Sequence, residues 1–84
     1  MSSVHTPEYQ YLLRQLRHAR KEADLTQQAV ADILDQQQSF VSKCESGERR
    51  VDAIELSRFA LVYDKPLSYF LPPDIRLPRK TRRR

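Results

Sequence analysis

Apolar residues recur along residues 7–71 at spacings of three and four, the period of an α-helix. The first run predicts a helix from about 7 to 23. Thr6 precedes it as an N-cap, and Pro7 occupies the first helical position, where proline is favoured. The apolar side of this helix carries Tyr9, Leu12, Leu13, Leu16, Ala19 and Ala23. Spacing and caps together predict one helix with a single buried face.

Two shorter periodic stretches follow, with only a few residues between them. Thr26 can cap a second helix that ends near Asp35, and a third helix is predicted from Gln38 to about Glu45. Gly47 then stands where a helix end requires a positive φ angle. The inward residues of these helices are Ala29, Val30, Ile33, Leu34, Val41 and Cys44. Two short helices so joined form a minimal helix-turn-helix, in which the third helix leaves its outer face and N-terminus free.

The last part of the periodic region predicts a fourth helix and a short final turn. Asp52 and Glu55 form a variant of the capping box at the start of this helix. Pro66 breaks the helical pattern and can open a last turn over residues 67–71. The inward residues of the fourth helix are Leu56, Phe59, Ala60 and Tyr63. We therefore expect an all-α fold, a compact bundle of about five short helices.

Length and charge divide the chain into one domain and two tails. Eighty-four residues, 39% of them hydrophobic, suffice for one compact core. We expect a domain at 7–73, a flexible N-terminus at 1–6 and a basic, disordered arm at 74–84. Residues 76–84 hold six of the 15 Lys and Arg and no acid, which leaves nine bases against 11 acids, a net charge of −2, in residues 1–75. The arm is thus expected to be solvated and to attract phosphates.

Several other classes of protein find no support in the sequence. The single cysteine, Cys44, cannot close an intrachain disulfide, and no leader or long apolar run is present, so we expect a cytoplasmic protein outside the membrane. His5 and His18 are isolated, and no Cys/His cluster has metal-ligand spacing. A Ser-His-Asp arrangement and a Gly-rich phosphate loop are also absent. The expectation is therefore no metal, no cofactor and no catalytic activity.

The motifs of residues 16–70 together resemble the Cro/lambda-repressor-type (XRE-like) helix-turn-helix domain. The resemblance rests on a first helix rich in Arg and Lys and on LTQ at 25–27, which opens the second helix. It continues with QSFVSK at 38–43 in the third helix, ESGERR at 45–50, and the apolar positions of 56–60 in the fourth. The resemblance implies a third helix that reads double-stranded DNA in a homodimeric transcriptional regulator, most often a repressor.

The resemblance also implies roles for individual side chains. Gln38 opens the third helix, and its amide offers the donor and acceptor that match the N6 and N7 edge of adenine. The side chains expected to read bases are Gln37, Gln38, Ser39, Ser42 and Lys43. Gln27 stands at the N-terminus of the second helix, a suitable phosphate site. The further residues expected to contact phosphates are Arg14, Arg17, Arg49 and Arg50.

A protein-interaction module is the alternative function. The apolar set Leu67, Tyr69, Phe70 and Leu71 is implied to be a dimer interface, but a place in the core or a docking site for a regulatory partner remains open. An antitoxin that represses its own operon would show the same features.

The predicted nucleic-acid contacts have an alternative too. The glutamines would then be solvated surface, Arg17 would pair with Glu22 or Asp24, and Arg49 lies beside Glu48.

Three positions depart from the family's pattern. Asp35 stands where glycine or asparagine is frequent, so we expect a slightly strained turn. Cys44 stands where a larger apolar residue is usual, and a small buried hydrophobe is favoured over a redox sensor. Val51 replaces a common proline, and no consequence is evident from the sequence.

Overall fold

The regular structure of the chain is helical throughout residues 6–77, the range that the computed structural model describes. The elements are α1 (Pro7–Glu22), α2 (Gln27–Leu34), α3 (Gln38–Ser46), α4 (Ala53–Tyr63) and a 3₁₀ turn at Leu67–Phe70. The all-α prediction is confirmed, with four α-helices and one 3₁₀ turn where about five short helices were expected. The predicted N-terminal tail, except for Thr6, and residues 78–84 of the predicted arm lie outside the described range.

Local side-chain caps explain where the helices begin. Thr6 and Thr26 each accept a hydrogen bond from the backbone N–H three residues later, at 3.1 and 3.0 Å. Asp52 and Glu55 form a complete capping box, with bonds of 2.7 and 3.0 Å. Gln37 occupies the N-cap position of α3 but makes no side-chain cap bond. The start of α3 therefore keeps an exposed amide that is not used by its own helix.

Left-handed residues end the helices. Gly47 follows α3 with a φ of 86°, whereas Asp24, Asp35 and Asp64 follow α1, α2 and α4 with φ of 60°, 57° and 55°. Aspartate enters this region at lower cost than most residues because its short side chain can hydrogen-bond locally. The conformational cost that was expected at Asp35 therefore also arises at Asp24 and Asp64, at the ends of two other helices. At the α2–α3 turn, Gln36 N–H donates to the Ala31 carbonyl at 2.8 Å, which closes the end of α2.

The core lies where α1 packs against α3, α4 and the 3₁₀ turn, while α2 closes it beside α3. Its largest fully buried side chains are Phe59, Phe70, Leu13, Leu16, Val30, Val41 and Cys44. Phe40 and Tyr63 each stack with Phe59, with ring centroids 6.2 Å apart in each pair. Fully burying one such side chain contributes about 1.5–3 kcal/mol. An apolar centre thus fixes α3 and α4 to α1.

Two residues predicted to face inward lie on the surface instead. Ile33 is 59% exposed because the buried stripe of α2 is centred between Val30 and Ala31. At 100° per residue this places Ile33 about 110° from the centre of the stripe. Ala23 follows the last residue of α1 and is exposed. The predictions for Ile33 and Ala23 were wrong because they extended the 3.6-residue period of apolar positions to the edge of a short helix contact.

Candidate nucleic-acid interface

The N-terminus and outer face of α3 carry the side chains that the sequence analysis assigned to base reading. Val41, Cys44 and Glu45 form the buried side of this helix. The opposite surface presents Gln37, Gln38, Ser39 and Lys43 as exposed side chains and Ser42 as a half-buried one. The fold therefore brings the five predicted residues to one continuous surface, at the end and side of a helix that is otherwise held by the core.

Gln38 is held by a second glutamine. Its Nε2 donates to Oε1 of Gln27, at the start of α2, at 2.5 Å. Nε2 of Gln27 in turn donates to Oε1 of Glu45 at 3.0 Å. The first residue of α3 and the predicted phosphate contact on α2 are thus joined in one chain of hydrogen bonds, which ends on a buried carboxylate.

The buried carboxylate belongs to an ion pair that the sequence analysis missed. Glu45 is 2% exposed, and Arg20 donates from Nε to its Oε2 at 2.7 Å and from Nη2 to its Oε1 at 3.1 Å. The hydrogen bond to Glu45 is the main reason that the pKa of Arg20 lies above its ordinary value. A signal was present: Arg20 follows Leu16 by four residues, and Glu45 follows Val41 by four. Helical spacing therefore put one charge of each sign on an inward face.

Arg14 and Arg17 on α1 differ in their surroundings. Arg14 is exposed, and its guanidinium lies 5.9 Å from the centroid of the Tyr11 ring. Arg17 is half-buried, and its Nη1 donates to the backbone carbonyl of Glu45 at 2.7 Å. Its observed partner is therefore a carbonyl near the end of α3, where cations are favoured, and not the suggested carboxylates. One of those carboxylates, Glu22, is instead paired with Lys65 at 2.8 Å.

Arg49 fastens the α3–α4 connection. Its two terminal nitrogens each donate to a different oxygen of Glu55 at 2.8 Å, and its guanidinium lies 4.8 Å from the Phe40 ring centroid. The bond from Arg49 is the main cause that lowers the pKa of Glu55. The observed ion-pair partner is thus Glu55, and not Glu48 as suggested. Arg50, which follows, is exposed and lies 4.7 Å from the centroid of the Tyr9 ring.

Two surface hollows lie beside the start of α3 and the basic side of α1. One, of about 550 Å³, includes Gln27, Gln38 and Lys21 in its lining. The other, of about 410 Å³, includes Arg14, Arg17 and Lys21. Because Lys21 borders both hollows, the basic residues of α1 continue the surface that begins at α3. Lys21 was not predicted to contact phosphates, although it lies on the same polar stripe of α1 as Arg14 and Arg17.

The predicted dimer interface divides between surface and core. Leu67 and Leu71 are 43% and 37% exposed, and Tyr69 is half-buried. Phe70 is fully buried, with its ring in edge contact with Tyr69 at a centroid distance of 5.0 Å. The ring of Phe70 therefore takes the place in the core that the sequence analysis left open, while a dimer contact by the other residues of the set stays a prediction. Gln15 of α1 holds this turn by donating to the Tyr69 carbonyl at 3.2 Å.

The described part of the chain shows neither a metal-binding cluster nor a membrane-spanning helix. Within residues 6–77, no group of three or more His, Cys, Asp and Glu side chains could hold a metal ion. None of the helices in that range has the length and apolarity needed to cross a bilayer. Cys44 is fully buried, and burial raises the pKa of its thiol to about 11. A thiol in that state is a poor nucleophile at neutral pH.

A comparison with protein families matches residues 16–70 to the family described as helix-turn-helix. The match covers about two-thirds of the chain, from the middle of α1 to the end of the 3₁₀ turn. It therefore includes the whole of α2 and α3 and the polar network that joins them to α1. A search of curated proteins gave no significant match.

Proposed function

This chain belongs to the Cro/C1-type helix-turn-helix family, and on that premise we propose that it is a sequence-specific repressor acting as a homodimer. Its general function, as for the family, is that of a DNA-binding transcription regulator. The proposed mechanism is occupancy: α3 lies in the major groove of an operator and prevents productive binding of polymerase. The protein would bind DNA in the cytoplasm and would catalyse no reaction.

The observation that carries this proposal is the presentation of Gln38. This side chain is exposed at the N-terminus of α3, and Gln27 holds its amide in place. With one N–H used by Gln27, its Oε1 can accept from N6 of adenine while its second N–H donates to N7. We assign further base contacts to Gln37, Ser39, Ser42 and Lys43, which share the surface.

Phosphate contacts would position α3 without reading sequence. We propose Arg14, Arg50 and the N–H of Gln27 that is not donated to Glu45 for this role, and add Lys21, which borders both hollows. Arg17 and Arg49 were expected to bind phosphates as well, and each already donates within the chain. Their proposed contribution is to hold the ends of α3 and α4 while adding positive charge near the DNA.

A two-fold dimer would use the exposed part of the C-terminal apolar set. Leu67, Tyr69 and Leu71 are the residues proposed for this contact, because they are at least partly accessible beside the buried Phe70. Such a dimer would place two copies of α3 in successive major grooves, about 34 Å apart. The operator is then expected to be a pseudo-palindrome.

Selection from randomised duplex DNA at near-physiological salt tests the proposal. The wild type should enrich a pseudo-palindrome, and Gln38→Ala should relax one symmetric pair of positions in it. Gln28→Ala is the matched control, because Gln28 is an exposed glutamine on α2 whose amide bonds to Asp32 at 2.9 Å. It should keep the wild-type motif. Equal binding to all sequences, or no enrichment, would contradict the proposal.

A protein-interaction or antitoxin-type module is the second candidate. It is favoured by the aliphatic side chains on the surface of α4 and the 3₁₀ turn, since Leu61 is 81% and Leu67 43% exposed. A regulatory protein could occupy that surface while DNA binding is secondary. Salt separates the two functions: DNA binding should weaken steeply as ionic strength rises, whereas an apolar protein contact should not.

A further inference from the structure

We propose that the buried carboxylate of Glu45 determines the orientation in which Gln38 presents its side-chain amide to DNA. Glu45 would thus be a positioning residue that sets base specificity from the interior of the domain. This inference rests on the proposed function, because it concerns how Gln38 reads a base. The geometry that supports it is the chain of hydrogen bonds Arg20–Glu45–Gln27–Gln38.

The first step is the fixed polarity at Glu45. An ionised carboxylate accepts hydrogen bonds and donates none. Its oxygens receive two bonds from Arg20 and one from Nε2 of Gln27, and the side chain is only 2% exposed. Gln27 must therefore direct its NH₂ group, and not its carbonyl, toward Glu45.

The second step transmits that polarity to α3. Because the NH₂ group of Gln27 faces Glu45, its Oε1 faces Gln38, and Gln38 must donate from Nε2. The outward groups of Gln38 are then one carbonyl oxygen and one remaining N–H. That pair is complementary to adenine, which offers a donor and an acceptor. It is mismatched to guanine, which offers two acceptors on the same edge.

The third step is the anchoring of Glu45 itself. Arg20 also donates from Nη1 to the Leu25 carbonyl at 3.1 Å, and Arg17 donates to the Glu45 carbonyl at 2.7 Å. Two residues of α1 thus hold both the side chain and the backbone of Glu45. A buried ion pair usually adds little net stability relative to apolar residues of similar size. Orientation of the glutamines is the contribution that an apolar pair could not make.

The test is a binding cycle on two duplexes with the full-length protein. One duplex is the selected operator, and the other carries G·C for A·T at the positions read by Gln38. The wild type should prefer the first by about tenfold or more, the usual range for a bidentate contact. Glu45→Gln should remove most of that preference, since an amide can satisfy either orientation of Gln27. Preferences at all other operator positions should remain unchanged.

Two further variants separate positioning from stability. Gln27→Ala should lose the same preference, and adding Glu45→Gln to it should cause no further loss, as expected for residues acting in series. Arg20→Met with Glu45→Met removes the carboxylate without leaving an unpaired buried charge, so it remains informative if Glu45→Gln fails to fold. In the free protein, the side-chain amide resonances of Gln38 should shift in every variant that lacks the carboxylate.

The core variant Leu13→Ala serves as the structural control. It should lower affinity, if at all, by the same factor on both duplexes. If the Glu45 variants behave like this control, with the preference of the wild type retained, the inference is wrong while base reading by Gln38 stands. If Gln38→Ala itself leaves every operator position unchanged, the proposed function is wrong, and this inference falls with it.

Discussion

The α2–α3 face and the α4–3₁₀ face of this domain are held together by different chemistry. On the first, Gln38, Gln27 and Glu45 form a chain of hydrogen bonds from the surface to a buried ion pair. On the second, Phe59 and Phe70 are fully buried beside aliphatic side chains that remain accessible, such as Leu61. Directional bonds thus organise the face proposed to read DNA, whereas apolar packing, which has little directional preference, supplies most of the stability.

The largest difference between the faces should appear in stability. Phe59→Ala removes a fully buried ring that stacks with Phe40 and Tyr63, so the free energy of unfolding should fall by about 3–5 kcal/mol. Leu61→Ala on the same helix is the control and should change it by less than about 0.5 kcal/mol, because the side chain is 81% exposed. Urea titration followed by circular dichroism measures both. Equal losses would contradict the assignment of α4's inner and outer sides.

The basic charge of residues 78–84 should act on DNA affinity alone. Removing residues 78–84 deletes five Lys and Arg. The magnitude of the slope of log affinity against log salt should fall by about 0.9 for each phosphate that the shortened protein no longer neutralises. Affinity should decline by a similar factor for operator and random duplexes, as measured by fluorescence anisotropy. A changed operator preference would instead assign a base-reading role to this segment.

The Arg49–Glu55 ion pair in the α3–α4 connection should make the stability of the domain sensitive to acid. Arg49 lowers the pKa of Glu55, so this carboxylate stabilises the fold above the pKa it has when unfolded, about 4.3. That contribution is lost as the pH falls through the lower, folded pKa. Glu55→Gln should therefore reduce stability at pH 7 and flatten the decline of stability as the pH falls below about 4.3. Glu48→Gln, an exposed neighbour, is the control for which the decline should persist.

The smallest expected change in stability comes from the buried hydroxyl of Tyr63 on α4. Within residues 6–77, the buried Tyr63 hydroxyl has no hydrogen-bond partner, and burial raises the pKa of this group. Tyr63→Phe should leave the ring stacking on Phe59 intact and change stability by less than about 1 kcal/mol, in the stabilising direction. A thermal melt can measure this shift. A marked loss of stability would show that the hydroxyl has a partner in solution.

Local sequence signals sufficed for most of the fold. Thr6, Thr26 and Asp52 announce helix starts because a cap involves only residues three positions apart. Gly47 likewise marks the end of α3. The exposure of Ile33 was not predicted, because periodicity alone does not give the width of the contact that α2 makes. The burial of Phe70 was left open, because it depends on how the 3₁₀ turn packs against α1.

The positions of the candidate site residues along the helices could be predicted from the sequence, but the hydrogen bonds and ion pairs that join them could not. The resemblance placed Gln38 and Gln27 at helix N-termini, where the structure has them. It did not reveal that Gln27 bonds to Glu45, or that Arg49 bonds to Glu55 across six residues. Such pairs form only once helices approach one another, and many carboxylates could have served each arginine. Opposite charges on two inward helix faces were the one available sign of the Arg20–Glu45 pair.

The most direct test of a DNA-reading α3 face is a nuclear magnetic resonance titration of the isotopically labelled protein with its selected duplex. We expect the largest shifts on the backbone of residues 37–43 and on the side-chain amides of Gln27 and Gln38. Ile54 and Leu61, on the outer side of α4, should stay nearly unchanged. Shifts concentrated at Ile54 and Leu61, with α3 unaffected, would contradict the claim and assign binding to the apolar face.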